Sequence, residues 1–152
     1  MVINRNKNDL DYSKFLNPIL IHFAFLVSDY GFQMGVPRSS GREFIIDFVK
    51  PAVGVLITCE IQSLPVLSVY LTSGENILYH PLSSISKVQL KHHYAHIQHN
   101  FTTEDAYACA FDLCLKVHAD LLRQYGEKFL RGDPSDLHGV RPGQYNVTRR
   151  KK

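Results

Sequence analysis

The sequence predicts an α+β fold: a three-stranded antiparallel meander packed against an N-terminal helix and a long C-terminal helix, with an extra short helix near residues 85–100. Three observations carry that expectation. Apolar residues recur at helical spacing towards both ends of the chain, three consecutive segments between them alternate at period two, and the links joining those segments are too short for crossovers.

The first helix is read over Pro18–Tyr30. Asn17 suits an N-cap, Pro18 a first helical position and Gly31 a C′ residue. Between them Leu20, Phe23, Leu26, Val27 and Tyr30 form an apolar stripe, with His22 off it. The stretch QMGVPRSSG then reads as a loop.

Strand signals follow over 44–50, 53–62 and 65–73. Phe44, Ile46 and Phe48 alternate with Ile45 and Asp47; Val53, Val55, Ile57, Cys59 and Ile61 share a face; Leu67, Val69 and Leu71 oppose Ser68, Tyr70 and Thr72. Turns around Pro51 and at Ser63-Leu64 favour hairpins. Asp47 and Glu60 are expected to face one another on neighbouring strands.

The long helix is read from near Thr103 to Phe129, with Thr102 and Asp105 in the spacing of a helix start. Tyr107, Phe111, Cys114, His118, Leu121, Leu122, Tyr125 and Phe129 form its apolar face. On its wet face an Asp112–Lys116 ion pair is expected, and Gly126 either ends the helix or weakens it. His118, in mid-stripe, reads as a core histidine with satisfied ring nitrogens.

Residues 1–130 hold 11 Lys/Arg and 12 Asp/Glu, a balance of −1, whereas 131–152 hold six Lys/Arg and two Asp, a balance of +4. The expectation is one domain over 1–132 and a mobile basic tail over 133–152. With the positive charge confined to that tail, nucleic acid is not an expected partner. Three cysteines, an odd number within apolar patterns, suggest reduced thiols and a cytoplasmic location. The apolar runs ILIHFAFLV and VGVLITCEI are too short to span a bilayer, so no membrane association is expected.

The segment KHHYAHIQH gathers four of the chain's eight histidines. On a helix His92, His96 and His99 would share a sector of about 60°, nearly opposite Leu90, Tyr94, Ile97 and Phe101. Neutral imidazoles at that spacing can ligate zinc, nickel or copper. No HExxH and no cysteine pair at finger spacing accompanies them, and the nearest acids are Glu104 and Asp105. A metal-binding protein or metal-dependent enzyme built on these three histidines is therefore the alternative reading. No G-x-S-x-G elbow and no phosphate loop is present, so no catalytic residue and no cofactor is assigned.

Leu26, Val27, Tyr30, Gly31 and Phe32, in LVSDYGF, and Glu60, in ITCEIQSLPVLSVYL, stand in the order helix, strand, strand, strand. In this the region 18–72 resembles small bacterial α-β-β-β-α proteins of uncharacterised or toxin-immunity type. The resemblance implies a non-enzymatic protein-binding module whose partner is a toxin. Two features depart from it: immunity proteins tend to be acidic, whereas this body is near neutral with a basic tail, and the histidine-rich segment has no counterpart. The expected contact surface is the sheet face or edge not covered by helices, including Glu60 and Tyr70.

Overall fold

The computed structural model describes residues 12–72, 77–86 and 90–137. In chain order the elements are α1 (Ser13–Ser28), β1 (Gln33–Met34), β2 (Arg38–Ser40), β3 (Glu43–Lys50), β4 (Val53–Glu60), β5 (Val66–Leu71), β6 (Tyr79–Pro81), α2 (Ser83–Ser86), a 3-10 turn (Lys91–Tyr94), α3 (Glu104–Tyr125), α4 (Glu127–Leu130) and a last 3-10 turn (Ser135–Leu137). The fold is α+β, and the sheet is antiparallel throughout.

The sheet has six strands where the sequence suggested three. Its order is β1-β3-β4-β5-β6, and β2 lies beside β1 along the same edge of β3. The added strands are short and lie at the edges. The region read as a loop holds two of them, and Gly41, at φ +60, occupies the first central position of the two-residue β2–β3 turn.

The three central strands pair as their alternation requires. Phe44 faces Cys59, Ile46 faces Ile57 and Phe48 faces Val55 across β3–β4, while Val55 faces Val69 and Ile57 faces Leu67 across β4–β5. This inner face joins Phe15, Ile19, Phe23 and Leu26 of α1 and Phe111, Leu115 and Leu122 of α3 in one core. At about 25 cal/mol per Å² of buried apolar surface, that layer is the main stabilising element of the domain.

Helix α1 starts a turn earlier than the sequence signals suggested. Asn17 is not its cap, and Pro18 lies inside it. The aromatic residues ahead of Pro18 explain the extension: Phe15 packs on Phe44 and Phe111 at ring-centroid distances of 6.0 and 5.4 Å, and Tyr12 stacks on Phe44 at 5.3 Å. Pro18 removes the helical bond to the Lys14 carbonyl, and the burial of Phe15 offsets that loss. The buried stripe is accordingly Phe15, Ile19, Phe23 and Leu26, with Val27 left 47% exposed. The far end matches expectation. Gly31 takes φ +73, and the Phe32 N–H returns to the Leu26 carbonyl.

Helix α3 is capped by Thr103, whose hydroxyl oxygen accepts from the Ala106 N–H at 3.1 Å. Gly126 ends it, and a Cβ there would come 2.6 Å from the Leu122 carbonyl oxygen. The expected Asp112–Lys116 pair is replaced by two others. Lys116 pairs with Asp120 at 2.6 Å, and Asp112 turns to His22 of α1 at 2.8 Å, because α1 packs alongside α3.

Lys50, at the end of β3, donates to the carbonyls of Tyr30 (2.7 Å) and Leu130 (2.8 Å) with its ammonium 5.1 Å from the centroid of the Phe32 ring. A cation there complements the negative ends of two helices at once.

The body also runs further than residue 132. Leu137 is 3% exposed and belongs to the main core, so the first part of the segment expected to be a tail is packed. Val140, Tyr145 and the rest of 138–152 lie outside the described residues.

Candidate protein-binding surface

Alternation turns Glu43, Ile45, Asp47 and Val49 of β3, Gly54, Leu56, Thr58 and Glu60 of β4, and Val66, Ser68 and Tyr70 of β5 away from the helices. Half of this outer face is closed. Leu56, Tyr70 and Ile77 form a second small core, with Ile45, Val49 and Tyr79 packed against it. Tyr70 sits opposite Gly54, and a Cβ on Gly54 would lie 2.2 Å from Tyr70 Cζ, so the glycine makes room for the ring. The Tyr70 hydroxyl donates to Asp47 Oδ2 at 3.1 Å, and Tyr79 meets the ring edge-on at 5.2 Å.

The other half is open. Arg38, Ile45, Thr58 and Val66 form one row across β2, β3, β4 and β5, in which Val66 is 57% exposed and Ile45 and Thr58 are half-buried. In the next row Glu43 stands opposite Glu60, both exposed. Like charges at directly opposed positions repel. The expected juxtaposition of Asp47 and Glu60 is not formed, because Asp47 pairs in register with Leu56.

Of the two residues expected to meet a partner, Glu60 is exposed at the rim of the open half. Tyr70 is on the right face but only 1% exposed, so it supports the surface from beneath instead of contacting a partner. The signal for this lay in the sequence at Gly54: a glycine within an otherwise apolar strand marks a close approach.

The histidine-rich segment does not form the expected helix. The Ala95 N–H bonds to the His92 carbonyl and the Ile97 N–H to that of Tyr94, so the backbone closes in tight three-residue turns. Leu90 enters the main core and Ile97 a third cluster with Ala110 and Cys114. His92 stacks on His93 with ring centroids 4.1 Å apart, His96 is exposed in the following turn, and His99 borders a cleft elsewhere. The three are not brought together. Among the described residues no three His, Cys, Asp or Glu side chains are grouped so as to hold a metal ion.

Cys109 is exposed, against the expectation from its apolar surroundings in the sequence, whereas Cys114 and His118 are sealed in. His118 accepts from the Tyr94 hydroxyl at Nδ1 (2.7 Å) and donates from Nε2 to the Pro65 carbonyl (2.9 Å); a carbonyl can only accept, which fixes the tautomer. Burial lowers its pKa from 6.5 to about 4, so the ring is neutral near pH 7. Cys114 lies 3.4 Å from His118 Nε2, but burial pushes its thiol up to about 11. A thiol held protonated beside a neutral imidazole is the reverse of an activated nucleophile.

No family model, curated protein or solved structure matches the chain. What the molecule can do is therefore read from its surfaces.

A cleft of about 1030 Å³ opens between α1, the β4–β5 turn and the start of α3. Phe15, Phe101, Tyr107 and Phe111 line it, and Lys14, His99, Glu104 and Asp105 border it. Tyr107 donates to the Ser63 carbonyl at 2.6 Å, and burial pushes its phenol up to about 12, so that bond persists across the neutral range. The acids here complement the positive end of α3, and the cleft walls are the faces by which α1 and α3 join the core. No described helix is long and apolar enough to cross a membrane.

Proposed function

We propose that this chain is a non-enzymatic protein-binding module of the immunity type, which neutralises a bacterial toxin through the open half of its outer sheet face. The observation that carries the reading is the row Ile45–Thr58–Val66 on the outer face, in which Val66 is 57% exposed and Ile45 and Thr58 are half-buried, bordered by the carboxylates of Glu43 and Glu60, which form no ion pair among the described residues. Such a strip offers preorganised contact area, so little ordering entropy opposes association. The sealed state of Cys114 and His118 supports a role without covalent chemistry.

The test is a complex with the product of the adjacent gene, where that product is a toxin. The expected result is a stable complex that Val66→Glu and Glu60→Lys each weaken at least tenfold. Both positions are exposed, so thermal stability should stay within about 0.5 kcal/mol of the parent. Absence of a complex, or a complex indifferent to both substitutions, overturns the proposal.

A further inference from the structure

We propose that the cleft between α1, the β4–β5 turn and the start of α3 receives an arginine side chain from a basic segment of a protein partner. This rests on the reading of the chain as a protein-binding module and names the chemistry of what that module grips.

The walls and the mouth of the cleft ask for different things. Phe101 and Tyr107, half-buried and edge-on to one another at 5.2 Å, line it together with the buried Phe15 and Phe111, so its interior is largely aromatic. Its mouth is acidic. Glu104 and Asp105 border it, both exposed, and neither forms an ion pair among the described residues. Lys14 on α1 is the one lysine or arginine among the lining residues, and against two carboxylates it leaves a balance of −1.

The positive end of α3 needs no external anion here. The Thr103 hydroxyl oxygen accepts from the Ala106 N–H at 3.1 Å, and the two carboxylates of the first turn complement the rest of that end. Aromatic surface beside carboxylates therefore selects a cation that tolerates partial removal from water. A guanidinium is such a cation: it is planar, weakly hydrated, stacks on aromatic rings and offers paired N–H donors to a carboxylate, whereas an ammonium is a compact and strongly hydrated charge.

The cleft also continues from the open half of the outer face. Glu60 ends β4 at the rim of that half, and the chain runs on from it as Ile61 and Gln62, which line the cleft. The Tyr107 hydroxyl lies 3.5 Å from the Glu60 carbonyl oxygen. A partner laid on the open half thus reaches the cleft past Glu60, and its arginine meets carboxylates on the way in.

N-acetylarginine amide, titrated into the isotopically labelled full chain to about 10 mM and followed by NMR at about 50 and 500 mM salt, tests this. The expected result is a set of amide shifts confined to the cleft, with a dissociation constant on the order of 1 mM that rises with salt. The neutral isostere N-acetylcitrulline amide should bind about fivefold more weakly or not at all. Glu104→Gln with Asp105→Asn, and separately Phe101→Leu, should each weaken the arginine probe by about threefold or more. Circular dichroism melts of each variant establish that it is folded. An absence of shifts, shifts centred on the outer face, equal binding of the two probes, or variants without effect overturn the inference. So do cleft shifts that grow with protein concentration alone, which would make a second copy the occupant. Probe binding that appears only after Arg5→Ala with Lys7→Ala would make the chain's own N-terminal segment the occupant and overturns it equally. The toxin complex is a separate measurement. A complex that forms and ignores Glu104→Gln with Asp105→Asn sinks the inference and leaves the proposed function standing; a bound probe without any toxin complex sinks the proposed function and leaves the cleft its arginine.

Discussion

Burial decides what His118 contributes. In the folded chain its pKa is lowered from 6.5 to about 4, and His80, enclosed on β6 with no hydrogen-bond partner for Nδ1 among the described residues, is shifted in the same direction by the same cause. Between pH 4 and 6.5 the unfolded chain therefore binds more protons than the folded one, and stability rises with pH across that window. As pH falls from about 6.5 towards 4, His118 alone should cost on the order of 3 kcal/mol, with little further loss from this group below 4. Urea unfolding at pH 7.5, 5.5 and 4.5 measures this. The His118→Phe chain should start less stable, since Tyr94 and Pro65 lose their partner, yet show a shallower fall with acid. An identical pH slope in the two chains would show that other groups carry the dependence.

Among the elements, those that bury one face were legible in advance. Phe44, Ile46 and Phe48, then Val53, Val55, Ile57 and Cys59, then Leu67 and Val69, point inward as their alternation required. β1 and β2 escaped notice because Gln33, Met34, Arg38, Ser39 and Ser40 are exposed edge residues, and exposure imposes no period on a strand. Pro18 misled for a different reason. A proline marks a helix start only when nothing ahead of it packs, and Phe15 does. Of the proposed surface, the exposure of Glu60 on the outer face was legible in the sequence, whereas the enclosure of Tyr70 depended on Gly54 one strand away. In the segment 90–101 the apolar positions Leu90 and Ile97 were identified correctly, but the backbone closes in three-residue turns where a helix was expected. With the imidazoles dispersed, treating untagged protein with a chelator should leave its melting temperature unchanged. A fall of several degrees, reversed by zinc, would show that His92, His96 and His99 converge on a metal in solution.

At the scale of the whole molecule, the helices and the turn Ser135–Leu137 close the inner face of a sheet whose outer face is half covered among the described residues. Leu137 is the furthest described residue to reach the core, so a chain ending at Gly132 should be less stable than one ending at Leu137 by about 2 kcal/mol, the worth of one buried leucine. Thermal denaturation of the two truncated chains measures the difference, and equal melting temperatures would show that Leu137 adds nothing.

The dependence of the inner sheet face on α3 also sets a schedule for synthesis. The strands β3, β4 and β5 are complete at Leu71, but the side chains that cover them, and the Leu130 carbonyl that Lys50 grips, follow as much as roughly 60 residues later. At about 5–20 residues per second a ribosome needs roughly 3–12 s to add them. At the start of that interval the surface of Phe44, Ile46, Phe48, Val55 and Ile57 has α1 and Phe32 beside it, and Leu82, Ile85 and Leu90 are added before α3. A nascent chain with such an apolar sheet on display is a substrate for the chaperones that wait at the exit tunnel, and it stops being one when α3 and α4 arrive.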